Sequence, residues 1–149
     1  MRAVVQRVRR SAVTADGASR GGIGPGLCVF VGIGAEDGEK DVEWLAGKIE
    51  SLRVFRDAEG KMNLSVTQTG GALLIVSQFT LYGDCRRGTR PSYDTAMPAE
   101  KARVLYDLFV ERCARTGIEV VSGVFQADMS VSIENDGPVT LLLDSKKGF

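Results

Sequence analysis

Histidine is absent from the 149 residues. That removes Ser-His and Cys-His nucleophile pairs, the usual acid-base group near neutral pH, and the commonest transition-metal ligand. Cysteine is sparse. Cys28, Cys85 and Cys113 are odd in number and share no CxxC spacing, which argues against a disulfide framework or zinc site and for a reducing, cytoplasmic setting. Long apolar runs are missing too, and the basic start MRAVVQRVRR is not followed by an apolar stretch of signal-peptide length. A soluble protein without a membrane partner is expected. Neither sign of charge is in excess, since 19 Lys and Arg balance 19 Asp and Glu. This disfavours a non-specific nucleic-acid binder, DNA included, with a global positive field, while local patches remain open. The carboxylates Asp84, Asp94, Asp128, Glu134, Asp136 and Asp144 are scattered, with no spacing that sets two on one helical face. The expectation is no metal and no cofactor.

What is present reads as one domain over 1–149, a length that buries roughly two thirds of its unfolded surface without staples. Residues 2–14 are rich in β-branched side chains and alternate, which predicts a strand exposed on one face. LCVFVGI at 27–33 predicts a buried strand, preceded by a loop over 21–26. Val42, Leu45, Ile49 and Leu52 fall at helical spacing within 39–52. An extended piece at 53–55 and a turn at 57–60 follow, and LLIVSQFTL at 73–81 begins as a second buried strand. Pro98 suits the first turn of another helix with Ala102, Leu105, Phe109 and Cys113 on one face and Gly117 at its end. Residues 119–122, 128–134 and 139–144 read as strands. The sum is an α+β domain, a β-rich sheet or partly closed barrel with two covering helices.

Three stretches carry candidate chemistry. In SQFTL (77–81) two hydroxyls and an amide emerge from an apolar strand, and buried polar groups need partners. Ser77, Gln78, Phe79 and Thr80 therefore mark either a hydrogen-bonded strand end or the lip of a pocket. Thr80 as nucleophile lacks a histidine to activate it. In CRRGTRPSY (85–93), Arg86, Arg87 and Arg90 surround Gly88, and guanidinium groups suit phosphate while Tyr93 and Tyr82 suit base stacking. The alternative is a solvated turn with three surface arginines. Lys146 and Lys147 carry the same pair of readings. Finally, NDGPVT (135–140) interrupts two apparent strands, and Asn135-Asp136-Gly137 has the composition of a tight turn.

SQFTL at 77–81 and NDGPVT at 135–140 together resemble the two signature motifs of the D-aminoacyl-tRNA deacylase family, and the likeness runs from MRAVVQRV through GKMNLSV (60–66) to the last strand. The resemblance implies a homodimer that hydrolyses the ester between a D-amino acid and the tRNA 3′ end. It implies that Gly137-Pro138 is a cis bond inserted into the other subunit's pocket, where main-chain carbonyls exclude an L side chain and accept glycine. Arg7 resembles the arginine that fixes the Gly-Pro orientation, its alternative being a charge on a strand's outer face. N–H groups near Phe79 and Thr80 would stabilise the oxyanion, with the tRNA 2′-hydroxyl assisting and Ser77 and Gln78 shaping the site. A non-catalytic RNA-end-binding module and a hydrolase of free D-amino acid esters are the competing classes.

Overall fold

The computed structural model describes residues 1–148. In chain order its strands are β1 (Arg2–Ala15), β2 (Ala18–Ile23), β3 (Gly26–Gly32), β4 (Phe55–Arg56), β5 (Met62–Leu64), β6 (Ala72–Ser77), β7 (Val120–Ser122) and β8 (Met129–Asp144). The helices are α1 (Glu39–Ser51), α2 (Val66–Thr69) and α3 (Ala99–Ala114), with a 3-10 turn at Phe79–Tyr82.

β1 organises the sheet. Along one edge its first half pairs antiparallel with β3 and its second half with β2, and along the other edge it pairs with β8. Asp16-Gly17, both at positive φ, make the two-residue turn from β1 into β2, the chemistry that matches the twist of a hairpin. This strand lies partly where a loop over 21–26 was expected, because the turn and pairing override a glycine-rich sequence. β3 continues to β6 and β7 through parallel pairs, and β2 approaches β7, so the mixed sheet nearly closes.

Both faces are buried, which explains the unbroken apolar runs of β3 and β6. On one face Val5, Leu27, Val29, Leu73 and Ile75 meet Val42, Leu45 and Ile49 of α1 and Phe109 of α3. Each such side chain contributes about 1.5–3 kcal/mol by leaving water. On the other, Val8, Val13, Ile23, Cys28, Leu74 and Val76 gather inside the curl. α3 buries Tyr106 rather than Leu105, and the Tyr106 hydroxyl donates to the Ile75 carbonyl at 3.1 Å. Pro98 is the N-cap just before α3, not within its first turn. The third helix, α2, was not expected. Ser65 accepts from the Gln68 N–H while Gln68 Oε1 accepts from the Ser65 N–H, a reciprocal cap that holds a single turn. Among the described residues no helix is long and apolar enough to cross a membrane.

The expected chain reversal at 135–137 does not occur. Residues before and after it pair with the same strand in the same direction: Val8 lies opposite Asn135 and Gln6 opposite Thr140. Residues 136–139 therefore bulge outward opposite Arg7. Local turn chemistry yields here to a partner strand that holds both flanks.

Candidate active site

β6 stops being a strand where β3 runs out. Ser77 pairs with Val31, the Gln78 N–H donates to the Val31 carbonyl at 2.7 Å, and the chain then tightens into the turn Phe79–Tyr82. That turn lies directly on the backbone of 32–34. A Cβ on Gly34 would sit 2.6 Å from the Tyr82 ring, so only glycine admits Tyr82 here. The Tyr82 hydroxyl donates to Asp37 Oδ2 at 3.0 Å, and the Arg2 guanidinium lies 4.5 Å above the ring and donates to the Leu81 carbonyl at 3.0 Å. Burial, reinforced by the Asp37 charge, pushes the Tyr82 phenol well above its usual range, so it stays protonated as a donor.

In front of this turn opens a cleft of about 570 Å³, within the usual size of small-ligand sites. Ser77, Gln78 and Phe79 form one side, Ala96 and Met97 another, and Phe125, Gln126 and Met129 the wall from the β7–β8 connection. The last five were not anticipated from sequence. Thr80 is exposed beside the cleft, and its hydroxyl accepts from the Gln78 amide, a group unable to take its proton. Phe79 and Thr80 open the 3-10 turn, so their N–H groups have no acceptor within it. Among the described residues no three His, Cys, Asp or Glu side chains converge to hold a metal ion.

Gly137, Pro138 and Arg7 form a separate group. Arg7 is 3% exposed, which overturns its alternative placement on an outer face. Its Nε lies 3.1 Å from the Asp136 carbonyl and 3.0 Å from Asp136 Oδ2, and its Nη1 donates to the Val54 carbonyl. Gly137-Pro138 is a cis peptide bond, while Gly137 has φ +123° and would place a Cβ 2.6 Å from Arg7 Nη2. Both residues are exposed, and none of residues 135–140 lines the cleft of the same chain.

The basic candidates differ in commitment. Arg86 is held by Asp84 at 2.6 Å, whose carboxyl is lowered to about 2 chiefly by that side-chain hydrogen bond. Lys146 reaches Asp41 at 2.9 Å. Lys147 is exposed at the chain end. Arg87 and Arg90 are exposed, with no ion pair among the described residues.

The profile of the D-Tyr-tRNA(Tyr) deacylase family matches residues 4–144. A D-aminoacyl-tRNA deacylase of Desulfotalea psychrophila is 56% identical and one of Thermotoga petrophila 55% identical, each over 149 residues and the whole of both chains. The chain belongs to the D-aminoacyl-tRNA deacylase family. A solved structure titled c-Myc DNA Unwinding Element Binding Protein is 43% identical, with a TM-score of 0.91 over 97% of this chain and 98% of that one. A second, described as a probable eukaryotic D-amino acid tRNA deacylase, shares the fold at 16% identity, with a TM-score of 0.83 over 95% and 97% of the two chains. As a member of the deacylase family the chain is a hydrolase of ester bonds.

Proposed function

We propose that the protein hydrolyses D-aminoacyl-tRNA, rejects the L-aminoacyl ester through the backbone of Gly137-Pro138 from a second subunit, and uses the terminal 2′-hydroxyl of the tRNA in place of a protein base. The observation that carries this reading is the cleft lined by Ser77, Gln78 and Phe79 at the start of a 3-10 turn whose first N–H groups have no acceptor within it, with no His, Asp, Glu or Lys among the lining residues. Water adds to the ester carbonyl, charge accrues on its oxygen opposite the Phe79 and Thr80 N–H groups, and the bond to the ribose 3′ oxygen breaks. The neighbouring 2′-hydroxyl helps pass a proton to that oxygen. A removed oxyanion donor typically costs a factor of 100 to 1,000 in rate, so two donors and an oriented, already labile ester supply a large part of what is needed. Ser77 and Gln78 shape the adenosine and ester site, and Thr80 supports through its bond to Gln78.

The separation of the two motifs supports a second subunit. Gly137-Pro138 is exposed and absent from its own chain's cleft, so a homodimer brings the filter to the ester. A monomer by sedimentation at micromolar concentration would contradict this. A filter that excludes side chains accepts glycine, so glycyl-tRNA is a substrate as well. The cytoplasm is the compartment where such a substrate is made.

Replacing the terminal adenosine by 2′-deoxyadenosine is expected to remove most D-Tyr-tRNA deacylation in single-turnover assays, whereas Thr80→Ala keeps appreciable activity. Full activity on the deoxy substrate would overturn the RNA-assisted mechanism, and complete loss in Thr80→Ala would return the hydroxyl to the chemistry.

A further inference from the structure

Phe79 and Tyr93 stand at the rim of the cleft with ring centroids 4.9 Å apart in an edge-to-face pair. Phe79 is 59% exposed and Tyr93 36%, unusual exposure for two packed aromatic rings in one place. Phe79 also lines the cleft, and Tyr93 is tied to its opposite wall because the Ala96 N–H donates to the Tyr93 carbonyl at 2.9 Å. Immediately before Tyr93, residues 85–91 form a loop pinned at its base by reciprocal bonds between Asp84 and Ser92, at 2.8 and 3.0 Å. Asp84 holds Arg86, but Arg87 and Arg90 remain uncommitted among the described residues.

We propose that Phe79 and Tyr93, flanked by Arg87 and Arg90, form a ledge that stacks the unpaired nucleotides immediately preceding the terminal adenosine of the RNA. This rests on the reading of the cleft as the site for an RNA 3′ end. A strand whose last nucleoside occupies the cleft leaves it past Phe79, where base faces meet aromatic faces and the backbone meets two guanidinium groups. Stacking is sequence-tolerant because every base has a π-face, and two arginines suit a short single strand better than a duplex, which spreads its phosphates over a wider footprint.

The test is fluorescence anisotropy at low salt with an uncharged RNA hairpin carrying an unpaired 3′ tail that ends in adenosine, beside the same hairpin made abasic at the two positions before that adenosine. The abasic change is expected to weaken binding to the unaltered protein by ~10-fold. Tyr93→Ala weakens binding of the intact hairpin by a similar factor and makes the abasic change nearly neutral, while Tyr93→Phe binds as the parent does. Replacing Arg87 and Arg90 together by Ala lowers the slope of log affinity against log salt by about 1.4, the value for two single-strand phosphate contacts. Independent, multiplying losses from Tyr93→Ala and the abasic change would overturn the ledge, as would full affinity in Tyr93→Ala or no binding by the unaltered protein. Because the RNA is uncharged, failure to hydrolyse a D-ester contradicts the proposed activity and leaves this result standing.

Discussion

Arg7 shows how one side chain sets the shape of a segment far away in sequence. Its guanidinium fork ties the carbonyls of Val54 and Asp136 to the centre of β1, beneath the bulge that carries Gly137-Pro138. A lysine has no such fork and leaves one of the carbonyls without its partner. Gly137 is constrained twice, by φ +123° and by the approach of Arg7 Nη2. Gly137→Ala is therefore expected to cost about 1–3 kcal/mol of stability, read from urea unfolding. It should also raise the rate on L-Tyr-tRNA relative to D-Tyr-tRNA as the carbonyls turn. An unchanged rate ratio in a folded Gly137→Ala protein would count against the backbone filter. Arg7 itself was readable only through the family motif, since an arginine in an alternating strand gives no sign of which face is buried.

At the scale of elements, the turn Phe79–Tyr82 is shaped from behind by the glycine-bearing end of β3 and by the Arg2, Tyr82 and Asp37 contacts. Tyr82→Phe removes the bond to Asp37 without opening a cavity. It is expected to cost about 1–2 kcal/mol, which thermal or urea unfolding measures, and to lower the single-turnover rate of D-ester hydrolysis more than it weakens RNA binding. Equal losses in both would assign Tyr82 to stability alone. Apolar runs revealed β3 and β6 in the sequence, and helical spacing revealed α1 and α3, because burial imposes those patterns directly. β2 was hidden by its glycines although Asp16-Gly17 announced the hairpin. β8 was divided in two because Asn135-Asp136-Gly137 satisfies local turn rules, and only pairing with β1 on both sides keeps it one strand. On the site, the apolar-to-polar change at Ser77 was visible. Phe125 and Met129 were not, since apolar residues in a connection look like any others until the fold turns them toward a cleft.

Across the whole molecule, the two ends of the chain meet on one electrostatic cluster. The Met1 ammonium lies 2.7 Å from Asp37, Ser145 donates to Asp41 at 2.6 Å, and Lys146 reaches Asp41 at 2.9 Å. Burial alone would raise the Asp41 carboxyl, but the bonds from Ser145, Lys146 and the Gly38 N–H, with the N-terminal charge, hold it at about 2. Its folded value lies below its ordinary 3.8, so the stabilisation is present above pH 4 and is lost as pH falls from 4 towards 2. Asp41→Asn should flatten roughly 2 kcal/mol of that acid dependence in urea titrations, and an identical pH profile would show the cluster to be idle. The same cluster holds Lys146 in its ion pair with Asp41, whereas Lys147 is exposed. Chirality is the property on which the proposed cleft and the exposed Gly137-Pro138 converge, since a second subunit's backbone beside an ester has a use only if the ester is accepted by hand. Single-turnover deacylation of D-Tyr-tRNA beside L-Tyr-tRNA, each corrected for spontaneous hydrolysis, tests it most directly. Rapid loss of the D-ester with the L-ester at its spontaneous rate is the predicted result, and equal loss of both, or of neither, would contradict it.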